Sequence, residues 1–191
     1  MCSCDALLKK EKLGTIVQHT RSENLLQNMR VVVQKVKNAS VTVDDKLISS
    51  IGKGLMVLVG ISTSDTKDDV LKLSKKLLSL RVFEDMTQPA ETTTKWYGKP
   101  WSKSVVDIQG EILSVSQFTL YGTVKKGTKP DFHKAAKGEG AKELYNILLE
   151  ELRKGLGQEK VRDGEFGAMM DVALVNDGPV TIVWDTQENT L

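Results

Sequence analysis

Hydrophobic and polar positions change period several times along this chain, and each change marks an element. "RVVVQKV" (30–36) is β-branched and reads as a strand. "ASVTVDDKLISSIG" (39–52) alternates through Val41 and Val43, turns at Asp44-Asp45, and returns through Leu47 and Ile51. "KGLMVLVGI" (53–61) is apolar on both faces, as a central strand would be. Three strands with short turns predict an antiparallel meander. Over 62–83 the period becomes helical, with Val70, Leu73, Leu77 and Leu80 on one face and Ser64 or Asp65 able to cap the start. Residues 84–109 are polar, hold two prolines and predict a long surface connection. "GEILSVSQFTLYG" (110–122) predicts the next strand, with Val115, Gln117 and Thr119 on one side. A basic loop (123–140) leads to an amphipathic helix over 141–156, with Ala141, Leu144, Leu148, Leu152 and Leu156 on one face. Two strands close the chain, "MMDVALV" (169–175) and "VTIVWD" (180–185), joined by "NDGP" (176–179). Strands outnumber helices, and each helix is apolar on one side only. The expected fold is α+β: a mostly antiparallel, barrel-like sheet with two amphipathic helices packed outside.

Residues 1–28 lack this patterning. They mix Lys9, Lys10, Lys12 and Arg21 with Asp5, Glu11 and Glu23, whereas transit peptides are poor in acids. The reading is an N-terminal extension, disordered or loosely docked, ahead of a single domain over 29–191, with Met29 a possible functional start.

Composition narrows the chemistry. The net charge of +2 gives no global field toward nucleic acid or membrane, so a basic site must be local. No apolar run is long enough to span a bilayer. The only cysteines, Cys2 and Cys4, stand together at the N-terminus, which fits a reducing cytoplasm and argues against a disulfide framework or a tetrahedral zinc site. The only histidines are His19 and His133. A Ser-His-Asp triad would need His133, whose lysine-rich loop offers no buried partner. No nucleophile elbow, phosphate loop or metal-helix motif is present. An enzyme built on this chain would act with hydroxyls, amides and backbone dipoles. Ser116, Gln117, Phe118 and Thr119 are the place to look: they could aim backbone N–H groups at an oxyanion, or merely bond neighbouring backbone near a turn. "NDGPVT" (176–181) is likewise either an ordinary turn or a Gly-Pro cis bond.

Motifs in register add a resemblance. "SQFTLYG" and "LVNDGPVT", with "MRVVVQKVKNASVTVD", "IGKGLMVLVGI", "LRVFED", "KGTKPDFHKAA" and "EFGAMMDVALVNDGPVT", resemble the D-aminoacyl-tRNA deacylase family from Met29 to the C-terminus. The resemblance implies a compact barrel-like fold and a homodimer whose active site spans both subunits. It implies hydrolysis of the ester joining a D-amino acid to tRNA, with no metal or organic cofactor, and clearance of glycyl-tRNA mischarged on alanine tRNA. Carried onto this chain, Ser116, Gln117, Phe118 and Thr119 would line the ester site, with the Phe118 amide an oxyanion donor and Thr119 a nucleophile or, the reading favoured because no base stands beside it in the sequence, a positioning group. Gly178 and Pro179 would be a Gly-cis-Pro element set into the partner's pocket, where it excludes L side chains. Phe166, Gly167, Ala168 and Met170 would cradle the terminal adenine. Separately, the lysine-rich loop places Lys125, Lys126 and Lys129 where tRNA phosphates could be met. The chain departs from the family at Lys35, where most members have arginine, in the longer stretch 88–98, and in its first 28 residues. Two other readings stand beside this one. One is a sister deacylase that clears mischarged L-amino acids. The other is a non-hydrolytic nucleic-acid-binding module built on Lys95, Trp96, Tyr97, Lys99, Trp101 and Lys103.

Overall fold

A computed structural model describes residues 28–87, 97–125 and 127–186. The extension up to residue 27, most of the 88–98 stretch and Lys126 lie outside the described residues. The strands are β1 (Arg30–Val43), β2 (Lys46–Ile51), β3 (Gly54–Gly60), β4 (Phe83–Asp85), β5 (Lys99–Lys103), β6 (Glu111–Ser116), β7 (Val161–Asp163) and β8 (Asp171–Asp185). The helices are α1 (Lys67–Ser79) and α2 (Gly138–Leu156).

The long strand β1 organises the sheet. Along one edge it pairs with β8 from Arg30 to Thr42. Along the other it pairs first with β3, through 30–36, and then with β2, through 39–43. The expected meander is therefore corrected. β3 returns to β1 rather than to β2, because β1 is long enough to hold both strands end to end. β6 then adds parallel to β3 and β7 parallel to β6, so the sheet is mixed. Each parallel step needs a long crossover, and α1 and α2 lie in the two crossovers. The sheet curls nearly shut: the Ser49 hydroxyl of β2 donates to the Asp163 carbonyl of β7 at 2.6 Å.

Both faces of β3 are buried, which explains its unbroken apolar run. Leu55, Val57 and Val59 face the helices, packing with Val70, Leu73, Leu77, Leu148 and Leu152. Met56 faces the barrel interior with Val36, Val41, Leu113 and Val115. The α1 cap falls on Thr66, whose amide donates to Asp69 at 3.0 Å. It is not Ser64 or Asp65, because Asp65 accepts from Ser62 instead. The α2 helix starts three residues before the expected 141, at Gly138.

Three further expectations change. Residues 84–109 are not plain connection: β4 and β5 pair as a separate two-stranded sheet, and Gly98 permits it, since a Cβ there would stand 2.5 Å from the Asp85 carbonyl oxygen. The strand over 110–122 stops at Ser116, and Phe118–Tyr121 forms a single 3-10 turn. Its ladder partner ends: Ser116 pairs with Val59, and the Gln117 amide makes the last bond, to Val59 O at 2.7 Å. Thr119 therefore does not continue an alternating face with Val115. Finally, the two C-terminal strands are one strand, β8, interrupted by a bulge.

Candidate active site

The 3-10 turn stands where β3 and β6 end together. Gly60 closes β3, and a Cβ on it would lie 3.0 Å from Leu120 Cβ and 3.1 Å from Tyr121 Cε2. A side chain there would push the turn off the sheet by a few tenths of an ångström. Tyr121 is buried beneath the turn and donates its hydroxyl to the Asn28 carbonyl. Arg30 ties down the far side, with Nη1 donating to Leu120 O at 3.2 Å and Nε to Asp185 Oδ2 at 3.2 Å. Strand ends and these anchors thus fix the backbone of Gln117–Thr119. The first amides of such a turn have no partner within it, so they are available to water or a ligand.

Beside the turn lies a mostly apolar cavity of about 360 Å³. Ser116, Gln117 and Phe118 line one side, Ala135, Ala136 and Ala141 another, and Phe166 and Gly167 its end. Phe118 is 56% exposed, and its ring meets Phe132 edge-on at 5.2 Å. Gln117 Nε2 donates to Thr119 Oγ1 at 2.5 Å. Of the site residues expected from the sequence, Ser116, Gln117, Phe118, Phe166 and Gly167 share this cavity. Thr119 is exposed, outside its lining, and linked to it through Gln117. Ala168 and Met170 do not line it either; Met170 packs toward the barrel interior and its sulfur accepts from the Glu165 amide at 3.4 Å. Sequence reasoning does not reach Gly60 and Phe132. Their signals, a glycine closing an apolar strand and an aromatic in a basic loop, are too common to stand out.

Gly178 and Pro179 lie elsewhere. Gln34 pairs with Thr181 and Val36 with Asn176, so Lys35 alone faces the four residues 177–180. Proline has no N–H for the ladder, and the surplus residues are thrown out as a bulge. The Gly178-Pro179 bond is cis and Gly178 has φ +131. Lys35 anchors the bulge from below. It is only 1% exposed, and Nζ reaches Glu84 Oε1 at 2.5 Å and Asp177 Oδ2 at 3.3 Å. Lys35 thus carries a charge to the foot of the bulge. A second cavity, lined by Lys35, Lys37, Lys53, Tyr97, Asp177 and Gly178 among others, opens beside the bulge and shares no residue with the first.

The basic loop is closed by paired bonds between Thr123 and Asp131, both at 2.9 Å. His133 Nδ1 meets Asp131 Oδ2 at 2.5 Å, with both side chains exposed. Bonds from the His133 amide and ring hold the Asp131 carboxyl below the usual carboxylate range. Lys125 and Lys129 project into solvent from this loop. Among the described residues no three His, Cys, Asp or Glu side chains gather as metal ligands, and no helix is long and apolar enough to cross a membrane.

The family model for D-Tyr-tRNA(Tyr) deacylase matches residues 32–185, which takes in the 3-10 turn, the cavity and the bulge. The chain belongs to that deacylase family. A D-aminoacyl-tRNA deacylase of Saccharomyces cerevisiae is 56% identical over 160 residues, covering 84% of this chain and 100% of that protein. D-aminoacyl-tRNA deacylase 1 of Homo sapiens is 53% identical over 154 residues, covering 81% of this chain and 68% of that protein. A solved structure of a c-Myc DNA Unwinding Element Binding Protein is 51% identical with TM-score 0.73, covering 82% of this chain and 97% of that one. The first 28 residues of this deacylase precede the family match.

Proposed function

We propose that this deacylase hydrolyses the ester of D-aminoacyl-tRNA, releasing a free D-amino acid and tRNA. The observation that carries the reading is the family match across the residues that build the cavity beside the 3-10 turn. The ester carbonyl enters at Phe118, whose amide receives the charge that develops on oxygen as water adds to the carbonyl carbon. The ribose oxygen then leaves with a proton. An aminoacyl ester is already activated, so orientation and a fixed amide dipole supply the acceleration without a histidine base. Phe166 and Gly167 close the end of the cavity and would meet the terminal adenine; Ala168 and Met170, in the same segment, would support them. The working site is completed by a second copy of the chain. Within one chain Gly178 and Phe118 line different cavities, and among the described residues β8 pairs with β1 alone, leaving its other edge open with Val183 72% exposed. In a two-fold dimer Gly178-Pro179 of each protomer reaches the cavity of its partner, and its carbonyls hold the substrate amino group while leaving no room for an L side chain. Glycine has no side chain to exclude, so glycyl-tRNA mischarged on alanine tRNA is a further substrate. Domain 29–191 carries this activity in the cytoplasm, where aminoacyl-tRNA is found.

A time course with D-tyrosyl-tRNA and L-tyrosyl-tRNA tests the reading. Hydrolysis of the D-ester alone is expected, and preference for the L-ester would identify the sister activity instead. The likeness to a DNA unwinding element binding protein, at 51% identity, favours a second, compatible reading, DNA binding. Tyr97, 91% exposed, and Trp101 on the β4–β5 sheet could stack on bases. Trp96 and Lys95 of that stretch lie outside the described residues. Duplex or single-stranded DNA that binds without inhibiting hydrolysis would separate the two activities.

Thr119→Ala should lower kcat by about tenfold, the worth of one hydrogen bond near ~1.4 kcal/mol, because the backbone donors remain. An acyl group trapped on Thr119 would instead make it the nucleophile. For tRNA docking, Lys125→Glu with Lys129→Glu should reduce the slope of log affinity against log salt by about 1.5, from two phosphate contacts at roughly 0.7–0.9 each. Lys126 belongs to the same expectation but lies outside the described residues. An unchanged slope would mean a merely solvated loop.

A further inference from the structure

Behind the cavity, a carboxylate outside its lining braces the segment that joins two of its walls. Asp65 precedes α1 and accepts twice from Ser62: the amide donates to Oδ2 at 2.7 Å and the hydroxyl to Oδ1 at 3.0 Å. Ser62 is buried and faces two ways. On one side it forms a β-bridge with Ala135, flanked by Thr63 N to Lys134 O at 3.2 Å and Ala136 N to Ile61 O at 2.9 Å. Ile61, Ala135 and Ala136 line the cavity. On the other side Ser62 continues the chain from the end of β3, where Val59 O accepts from the Gln117 amide at 2.7 Å and Gly60 packs against Tyr121, which ends the 3-10 turn that carries Phe118. We infer that Asp65 is a positioning residue for ester hydrolysis, acting through Ser62 to hold the 3-10 turn and the Ala135–Ala136 wall at a fixed separation. It touches no substrate. Its effect is to keep the Phe118 amide where the oxyanion forms, a placement in which a 1 Å error costs about a hundredfold. This role rests on the cavity being the catalytic site.

Asp65 is also placed to make this support depend on pH. Burial pushes its carboxyl up to about 7, helped by Asp69 of α1 and Asp185 of β8, while the two Ser62 bonds oppose the shift. Arg30 of β1 offsets Asp185 by pairing with it, and Tyr121 of the turn, its own hydroxyl raised by burial, stays neutral beside them. Below the shifted value Asp65 is protonated and loses one acceptor oxygen; above it the carboxylate accepts both Ser62 bonds. The stability linkage has the opposite sense. A folded-state value above the unfolded one favours the fold at low pH, and that contribution is lost as pH rises from about 4 to about 7.

These senses give a test that a merely structural residue would fail. In Asp65→Asn, kcat for D-tyrosyl-tRNA should fall about fivefold to tenfold near pH 8 with KM within about twofold, the size of one lost hydrogen bond. The ratio of wild-type to variant rates should shrink toward one below about pH 6, where wild-type Asp65 is itself neutral. The Tm of the variant near pH 8 should be no lower than that of the wild type, since a buried charge has been removed. Ser62→Ala keeps the amide bond to Asp65 but removes the hydroxyl bond to it, and should lose kcat with KM unchanged even if Asp65→Asn folds poorly. An unchanged kcat in both variants, or a ratio of rates constant with pH, would overturn the inference. Ala136→Leu, which fills the cavity, separates the two levels. Full activity in it sinks the cavity as the catalytic site and this inference with it. Inactivity beside a wild-type Asp65→Asn and Ser62→Ala sinks the inference alone.

Discussion

Gly178→Ala should reduce kcat/KM for D-tyrosyl-tRNA by about a hundredfold or more while the protein remains folded. The residue sits at φ +131, a conformation that side chains rarely adopt and that costs on the order of 1–3 kcal/mol when forced on them. The new Cβ would also stand 3.0 Å from both Val180 N and Val180 Cγ2. The bulge is held at both ends by the β1 ladder, at Asn176 and Thr181, so strain is relieved by moving the bulge and not by unfolding β8. That movement matters because the bulge is proposed to enter the partner's cavity. Rejecting an L-amino acid needs a rigid obstacle, since a methylene in an apolar pocket discriminates by only ~1–3 kcal/mol. A shift of about 1 Å then costs roughly a hundredfold. Thermal melts beside the kinetics check that the loss is local. Wild-type kcat/KM in this variant would remove the bulge from the active site. Mixing experiments test the shared site: an inactive Gly178→Ala protomer paired with a Phe118-defective one should recover one working cavity per dimer.

Lys35→Met should be the most destabilising single change, at about 3–5 kcal/mol, because it strands two carboxylates beside a buried apolar side chain. Lys35 bonds Glu84 beneath the sheet and Asp177 at the foot of the bulge, and its ammonium lies 5.5 Å from the Phe83 ring centroid. For a chain of this length each 1 kcal/mol moves Tm by about 2–4 °C, so a fall of roughly 6–20 °C is expected in a melt near neutral pH. Lys35→Arg keeps the charge and supplies a planar fork, and should lose less than about half as much. If Lys35→Met melts with the wild type, the buried ion pairs are not holding the bulge. If it unfolds early while Lys35→Arg does not, charge at this position anchors Asp177 and through it Gly178.

Several elements are readable from local pattern alone. The strand character of β1, β2 and β3 follows from β-branched and alternating residues, and α1 and α2 from their one-sided apolar faces. These are short-range properties: a side chain's face is set by the period of its own element. The β4–β5 pair escapes local pattern for the complementary reason. "FED" and "KPWSK" carry little strand propensity, and they pair because each finds the other in space. The same logic separates Ser116 from Thr119. Alternation would run β6 through Thr119, but the ladder ends where β3 ends, and the following residues turn.

By itself the sequence determined the alternation of strands and helices, the scarcity of histidine and cysteine, and the motifs around Phe118 and Gly178 that mark the family. Those are facts of residue type and order, which no packing can alter. The tertiary structure alone decided that β2 and β3 share one edge of β1, that "NDGP" is a bulge inside one strand opposite Lys35, and that Phe118 and Gly178 line separate cavities. It also decided that Asp65 lies behind the 3-10 turn, more than fifty residues away along the chain. Ladder partners, buried charge and close approach depend on which distant segments meet. That meeting is set by the whole core at once, so no local window of residues contains it.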